Sequence, residues 1–156
     1  MKGNWNAKSR KQLKKLYMKK FVLLCLIQIL WLYGFSQEQS TKYKELKGYL
    51  QSKGYSISTE QYANLAQGGE ATYVKTFYEN TSYAIIAMSD DSDVIDVDVY
   101  LKYKNGTVYS KDTDAENVAI ITFDPSYTRD MQVVIKNYSS RTPNYKSRCR
   151  FIIGYK

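Results

Sequence analysis

The sequence predicts a mainly β protein, an antiparallel β-sandwich with a short helical extension on its N-terminal side. From Ala71 onward, apolar and β-branched runs of five to nine residues alternate with turn residues. About seven such runs in roughly 85 residues is a density typical of a sandwich. The run Val94–Tyr103 alternates apolar and polar residues, as a strand with one buried face does. Residues 40–53 instead repeat apolar positions at helical spacing.

A segment near the N-terminus has the three parts of a secretory signal peptide. Two lysines precede an apolar run over 21–35, and the small residue Ser36 follows it. The run has 15 residues, fewer than the ~20 that a helix needs to span a hydrocarbon core. We therefore predict a signal peptide over 1–36, with Met18 as an alternative start. The mature protein is expected to be exported, periplasmic or extracellular, with no stable membrane span.

The net positive charge of the chain comes from this leader. The protein has 23 lysines and arginines and 15 acidic residues, and eight of the basic residues precede residue 37 while every acidic residue follows it. Without the leader, 15 basic and 15 acidic residues remain and the net charge is zero. A neutral domain has no overall field that attracts a phosphate backbone, so a nucleic-acid partner is not expected.

The composition also argues against catalysis. The chain contains no histidine, so neither a Ser-His-Asp nor a Cys-His apparatus can form, and imidazole zinc ligands are missing. Cys25 belongs to the leader, which leaves Cys149 without an intramolecular disulfide partner. In the last strand Cys149 shares a face with Phe151 and Ile153, so we expect its thiol on the core side, with an intermolecular disulfide as the alternative. The protein is not expected to be an enzyme.

The extension before the sandwich, residues 37–69, is predicted to be helical. A first helix covers residues 40–53, with Ser40 or Thr41 as its cap and Gly54 as its stop. A second, over Thr59–Ala66, follows from a capping-box spacing, and a strand is an open alternative there because the segment is short. The sandwich domain is expected over 70–156.

Seven strands are predicted within that domain. They are Thr72–Tyr78, Ser82–Met88, Val94–Tyr103, Thr107–Ser110, Val118–Phe123, Met131–Asn137 and Arg148–Tyr155. Asn105-Gly106 predicts a two-residue type I′ hairpin, since both residues tolerate positive φ. Asp124-Pro125-Ser126 predicts another turn.

The strand Val94–Tyr103 has the clearest division into faces. Period-two alternation predicts a core face made of Ile95, Val97, Val99 and Leu101. It predicts a solvated face made of Asp96, Asp98, Tyr100 and Lys102.

An acidic cluster is the one constellation that suggests site chemistry. Five carboxylates occur within nine residues: Asp90, Asp91, Asp93, Asp96 and Asp98. Carboxylate oxygens are the ligands that Ca²⁺ prefers, and it takes roughly six to eight of them. The sequence therefore predicts a calcium site made of these five residues. The alternative is a solvated acidic loop, or ion pairs with Lys102, Lys104 or Arg150.

The exported part also contains 14 tyrosines. Tyrosine suits half-buried strand faces, and it also suits surfaces that recognise sugars or peptides. The structural interpretation is favoured for most of them.

Four segments occur in an order known from one family: Thr81–Ala87, Asp93–Leu101, Asn105–Val108 and Ile121–Pro125. With them, residues 70–155 resemble the bacterial pre-peptidase C-terminal domain. The resemblance implies a jelly-roll-like β-sandwich that tolerates calcium and is appended to secreted proteins.

These observations predict an exported, non-catalytic binding module with a calcium-dependent affinity for a glycan, a peptide or an envelope protein. The alternative is a structural or assembly protein of the cell envelope that self-associates through exposed strand edges or through Cys149.

Overall fold

The structure, a computed structural model, describes residues 40–156. The predicted signal peptide over 1–36 lies outside the described residues. One helix and eight strands follow in this order: α1 (Thr41–Ser52), β1 (Ser56–Leu65), β2 (Glu70–Phe77), β3 (Tyr83–Ser89), β4 (Val94–Tyr103), β5 (Val108–Asp112), β6 (Val118–Phe123), β7 (Arg129–Ser140) and β8 (Ser147–Tyr155).

The strands form two four-stranded antiparallel sheets. Sheet A has the order β1-β8-β3-β6 and sheet B the order β2-β7-β4-β5. The chain passes from one sheet to the other at most connections, so each sheet is assembled from segments remote in sequence. The prediction of a mainly β, antiparallel, jelly-roll-like sandwich with a short N-terminal helix is confirmed.

The first helix is where the sequence predicts it. The Ser40 hydroxyl accepts a hydrogen bond from the Tyr43 N–H at 3.2 Å, which satisfies one of the free donors of the first turn. After the helix ends at Ser52, Gly54 takes a φ of +83°, which glycine adopts without a steric cost. The cap and the stop are therefore both local features of the sequence.

The predicted second helix over Thr59–Ala66 is wrong, and the alternative of a strand is correct. Ser56–Leu65 forms β1, which pairs antiparallel with β8 along its whole length. A segment this short gains little as an isolated helix, whereas pairing with β8 satisfies its backbone groups. The helical part of the extension is limited to α1, and the sandwich begins at Ser56 rather than at residue 70.

The main core lies between the two sheets, and a smaller core lies under α1. The smaller core consists of Tyr43, Leu50, Ala84, Ile86, Met88 and Ile152. Because α1 covers the outer face of sheet A, β3 is buried on both faces, and all seven of its residues are buried. This explains why β3 reads as an uninterrupted apolar run rather than an alternating one.

The β4–β5 hairpin is present, but its turn differs from the prediction. The Gly106 N–H donates to the Tyr103 carbonyl at 2.9 Å, and Gly106 has a φ of +86° while Asn105 does not have a positive φ. A type I′ turn needs both central residues at positive φ, so that prediction is wrong. The geometry is that of a longer loop with a bulged glycine, and the Asn105 side chain closes it by accepting from the Thr107 N–H at 3.0 Å.

Candidate functional site

The structure separates the five aspartates that the sequence groups together. Asp90 lies beside the outer face of sheet A, where Arg150 Nε and the Ser40 hydroxyl both donate to its carboxylate. The predicted alternative of an ion pair with Arg150 is correct for this residue. Its carboxylate therefore connects α1 to β8.

Asp91 and Asp93 organise the connection between β3 and β4. Asp91 Oδ1 accepts from the Asp93 N–H at 2.9 Å, which makes a local side-chain turn. Asp93 Oδ2 accepts from the Thr142 N–H at 3.4 Å, and the Asp93 carbonyl accepts from the Arg141 N–H at 2.8 Å. These contacts connect the β3–β4 and β7–β8 loops.

Asp96 and Asp98 lie on the outer face of sheet B, and they are buried rather than solvated as predicted. Asp96 is 6% exposed and Asp98 is 1% exposed. The Tyr100 hydroxyl donates to Asp98 Oδ2 at 3.0 Å, whereas Oδ1 of each aspartate has no hydrogen-bond partner among the described residues. Burial, then the nearby carboxylates of Asp98 and Asp112, raise the pKa of Asp96.

A bulge in β4 also corrects the predicted core face. The pairing of β4 with β7 shifts register between Val94 and Val97, so both of these valines enter the core. Ile95, predicted to be buried, is 49% exposed for the same reason. Val99 and Leu101 lie beyond the bulge and are buried as predicted.

The described residues do not assemble a metal-binding group. Within residues 40–156, no set of three or more His, Cys, Asp or Glu side chains is placed to hold a metal ion. Asp90, Asp91 and Asp93 each accept a hydrogen bond from another group of the protein, and among the described residues Asp96 and Asp98 are the aspartates with a buried oxygen that has no hydrogen-bond partner. The five aspartates therefore do not converge on one site, and calcium binding stays a prediction.

A cleft opens at the opposite end of the sandwich, beside the edge strands β5 and β6. It has a volume of about 230 Å³. Its walls are Tyr103 and Tyr109 of the β4–β5 hairpin, Pro125–Tyr127 of the β6–β7 connection, and Arg129 and Met131 at the start of β7.

The cleft continues the inward-facing rows of the core. In β4 and β7, Leu101 lies opposite Val133 and Tyr103 lies opposite Met131, all on the side that faces sheet A. The next inward position of β7 is Arg129, because side chains alternate between faces along a strand. The apolar core therefore ends in tyrosine and arginine side chains rather than in an apolar cap.

Aromatic contacts hold the walls of the cleft in place. The rings of Tyr103 and Tyr109 meet edge to face with centroids 5.5 Å apart, and Tyr109 contacts Phe123 of the core at 5.8 Å. The Arg129 guanidinium lies 5.2 Å from the centroid of Tyr103 and 4.5 Å from that of Tyr127. Tyr127 is 61% exposed, so much of its ring is free for contact with a ligand.

A second hollow of about 260 Å³ lies on the other side of the β6–β7 connection. It is bounded by Tyr55, Ser82, Tyr83, Thr122, Phe123, Asp124 and Lys156. Lys156 Nζ lies 4.3 Å from the centroid of Tyr55. This hollow contains both an acid and a base, whereas Arg129 is the one charged side chain in the walls of the cleft.

The sequence does not predict the cleft. Nothing in the local spacing of its tyrosines distinguishes them from the other tyrosines, for which a structural role is favoured. What distinguishes Tyr103 and Arg129 is their position, because both face inward at the ends of their strands. That signal needs the pairing of β4 with β7, which the sequence does not show.

Cys149 is placed where the sequence predicts it. The thiol is buried in the main core, and burial raises its pKa to about 11. A buried, protonated thiol is a poor nucleophile and cannot reach a second chain in the folded state. Self-association through Cys149 is therefore not supported.

No family model and no curated protein matches the chain. Among solved structures, the pre-peptidase C-terminal domain of a collagenase from Bacillus anthracis is similar, with a TM-score of 0.48 and 11% identity over 62% of this chain and 89% of that one. The periplasmic g-type lysozyme inhibitor PliG from Aeromonas hydrophila has a TM-score of 0.47 and 5% identity over 67% of this chain and 90% of that one. A CBM4 structure has a TM-score of 0.41 and 13% identity, covering 66% of this chain and 79% of that one.

The family that the sequence resembles is thus represented among the similar structures. Likeness at this level carries no information about what the chain binds, so the function rests on its own residues. In residues 40–156, no helix has both the length and the apolar character needed to cross a membrane.

Proposed function

We propose that this protein is an exported, non-catalytic binding module whose cleft at Tyr103, Tyr109, Tyr127 and Arg129 takes one ring of a glycan. The observation that carries the proposal is a concave site at one end of the sandwich whose wall includes the exposed ring of Tyr127 next to the rings of Tyr103 and Tyr109. The predicted signal peptide is the support for export.

The size of the cleft favours a single ring of a longer ligand. Sites that enclose a whole drug-sized molecule have volumes of roughly 300–1,000 Å³, and this cleft of about 230 Å³ is smaller. A chain that places one ring in the cleft, beside Arg129 and the exposed ring of Tyr127, and continues along the surface fits such a volume. Affinity per ring is then modest, and binding is best sought at millimolar ligand.

The chemistry of the walls favours binding over catalysis. Glycoside hydrolysis uses two carboxyl groups on either side of the scissile bond, and no carboxylate is among the side chains that form this cleft. Met131 supplies an apolar floor, and the tyrosine rings supply the flat faces that pack against the C–H face of a sugar. Their hydroxyls add hydrogen bonds at the ring edge.

The test is a titration of the purified protein, followed by amide NMR and calorimetry, with cellohexaose, maltohexaose and chitohexaose as probes. We expect one of them to shift the amide signals of the β4–β5 hairpin and of residues 124–131. Tyr127→Ala should weaken that binding about tenfold, which corresponds to the loss of one aromatic contact worth about 1.4 kcal/mol.

The matched control is Tyr145→Ala, which removes a tyrosine of similar exposure (54%) from the β7–β8 loop at the other end of the molecule. It should leave the affinity unchanged. Equal losses in the two variants, or no shift of cleft signals with any saccharide, would contradict the proposal. Binding of a tyrosine- or proline-rich peptide without any saccharide would overturn the sugar assignment.

A calcium-dependent affinity is a second proposal, limited to Asp96 and Asp98. The observation that favours it is the pair of buried carboxylate oxygens without hydrogen-bond partners. Buried unpaired charge is costly, and a bound cation would offset that cost. Addition of Ca²⁺ to protein treated with EDTA should raise the melting temperature of the wild type but not of Asp98→Asn. An unchanged wild-type melting temperature in millimolar Ca²⁺ rejects this proposal and leaves the cleft proposal untouched.

A further inference from the structure

Three arginines in residues 40–156 lie over tyrosine rings, namely Arg129, Arg148 and Arg150. Arg150 and Arg129 differ in whether a carboxylate also pairs with the guanidinium. Arg150 lies 5.2 Å from the centroid of Tyr43 and 5.7 Å from that of Tyr62, and it also pairs with Asp90. Arg129 has the same kind of aromatic contacts in the cleft, but within residues 40–156 no carboxylate pairs with its guanidinium. Arg150 therefore has both aromatic contacts and a carboxylate partner within the protein, whereas Arg129 has the aromatic contacts without a carboxylate partner among the described residues.

The neighbouring carboxylates are committed elsewhere. Asp130 follows Arg129 in β7, but the alternation of the strand directs it to the outer face of sheet B. There Asp130 accepts from Thr76 Oγ1 at 2.6 Å and pairs with Lys104 Nζ at 2.8 Å. Asp124 borders the second hollow rather than the cleft.

Stacking leaves the edge of the Arg129 guanidinium available. The rings of Tyr103 and Tyr127 lie near this group and fix where it sits, and no side-chain acceptor among the described residues uses its N–H donors. A guanidinium presents those donors as a planar fork that matches a carboxylate with two parallel hydrogen bonds. The aromatic contacts reduce the rotamer freedom that such a pair would otherwise lose.

We infer that the ligand of the cleft is an acidic sugar, a ring whose carboxylate pairs with Arg129 while its flat face packs against the tyrosines. This inference rests on the proposed function and adds the charge of the ligand. Because the exported part has no net charge, the preference for an acid comes from this one contact rather than from the overall field. The salt dependence of binding should therefore be shallow.

The experiment compares tetragalacturonate with its fully methyl-esterified form, in EDTA so that calcium does not bridge sugar and protein. The two probes have the same rings and linkages and differ in the charge of the carboxyl group. We expect the acid to bind wild-type protein about tenfold or more tightly than the ester, as measured by calorimetry. This comparison uses unmodified protein, so it does not depend on the folding of any variant.

Variants then assign the preference to Arg129. Arg129→Gln should bind acid and ester with equal affinity, and Arg129→Lys should keep only part of the preference, because a point charge cannot form the paired hydrogen bonds. A persistent preference in Arg129→Gln of unchanged melting temperature would overturn the assignment. A sulfated tetrasaccharide that binds as tightly as the galacturonate would overturn the specificity for a carboxylate.

The outcomes separate the two proposals. Equal binding of acid and ester, or binding of a neutral hexasaccharide without either, rejects the acidic ligand and leaves the cleft as a glycan site. Absence of binding for every saccharide rejects both. Binding of acid over ester that disappears in Arg129→Gln, and not in the control Arg141→Gln from the β7–β8 loop, supports the acidic ligand.

Discussion

Each end of β7 has a polar side chain that faces inward, Asn137 at one end and Arg129 at the other. The two side chains differ in how many hydrogen-bond partners the protein gives them. Asn137, at the C-terminal end, is fully buried, and its amide donates to the Leu65 carbonyl at 3.1 Å and accepts from the Ser140 hydroxyl at 2.9 Å. Arg129, at the N-terminal end, lies over the rings of Tyr103 and Tyr127 in the cleft and has no ion pair with another described residue.

The rest of the Asn137 end is closed by backbone contacts as well. The Gly68 N–H donates to the Asn137 carbonyl at 2.6 Å, and the Asn137 N–H donates to the Gly69 carbonyl at 3.1 Å. Gln67 Oε1 accepts from the Ser140 N–H at 3.1 Å. A polar group at a core end that is fully satisfied by the protein stabilises the fold, whereas one left open is available to a ligand.

The largest expected effect is at the closed end. Asn137→Ala leaves the Leu65 carbonyl and the Ser140 hydroxyl without their partner in a buried setting, and each such loss costs roughly 1–3 kcal/mol. We expect the free energy of unfolding, measured with urea, to fall by about 3 kcal/mol. Tyr138→Ala, the exposed neighbour on the other face, is the control and should change it by less than about 0.5 kcal/mol. Similar effects for the two variants would mean that the network does not stabilise the fold.

Glycine substitutions compare the loops at the two ends. A Cβ on Gly69 would lie 2.9 Å from the backbone oxygen of Ala66, so Gly69→Ala must displace the closed loop, and we expect a loss of about 2 kcal/mol. Gly106→Ala in the hairpin beside the cleft meets no atom but keeps a φ of +86°, which costs about 1 kcal/mol. Urea unfolding of both variants checks the order. A larger loss for Gly106→Ala would break the contrast between a packed and an open end.

Asp96 is an exception near the closed end. It lies buried on the outer face of sheet B, and its Oδ1 atom has no hydrogen-bond partner among the described residues. Its raised pKa means that its contribution to stability is complete below the ordinary aspartate pKa of about 3.9 and is lost as the pH rises through the folded-state pKa. Asp96→Asn should therefore raise the melting temperature at pH 7 in EDTA and change it little at pH 4.

Burial first, and then the charged groups around Asp96, set the sign of that effect on the melting temperature. Asp98 and Asp112 both disfavour its ionisation, and Lys136, opposite Asp98 in the register, pairs with Glu70 at 3.5 Å. An asparagine removes the repulsion and offers a donor to the free oxygen of Asp98. A variant that is less stable than wild type at pH 7 would show that a cation or another partner already neutralises the pair.

The smallest effect on stability is expected at Arg129. Because its guanidinium has no ion pair in the described part of the chain, Arg129→Gln should change the free energy of unfolding by less than about 1 kcal/mol, which is the scale of exposed cation–π contacts. Thermal unfolding of the variant measures this directly. A loss as large as that of Asn137→Ala would show that Arg129 is a structural residue like Arg150.

Much of the fold was predictable because its signals are local. Alternation placed Cys149, Phe151 and Ile153 in the core, and the Ser40 cap and the Gly54 stop located α1 to within a residue or two. The prediction failed over Thr59–Ala66, where a short segment had no strong preference and pairing with β8 decided its structure. The strand Val94–Tyr103 had correct ends, but its bulge exposed Ile95.

The candidate site was much less predictable. Five aspartates close in sequence lie on separate surfaces, because Asp90 precedes a loop that joins sheet A to sheet B and Asp98 follows it. Conversely, the walls of the cleft come from a hairpin and from a loop some twenty residues further along the chain. Closeness in sequence suggested a calcium site at five aspartates that the fold separates. Distance in sequence hid the cleft, whose residues the fold brings together.

The sequence by itself determined α1, the seven strands from β2 to β8 and most of their inward-facing residues, since these follow from the period of two and from the conformational limits of single residues. It did not determine β1 or the bulge that exposes Ile95. Only the tertiary structure decided that the inward row of β7 ends in a closed network around Asn137 and in an open cleft at Arg129. The reason is that the partners of a side chain at the end of a core are supplied by strands and loops remote in sequence, so its satisfaction depends on the pairing of whole sheets.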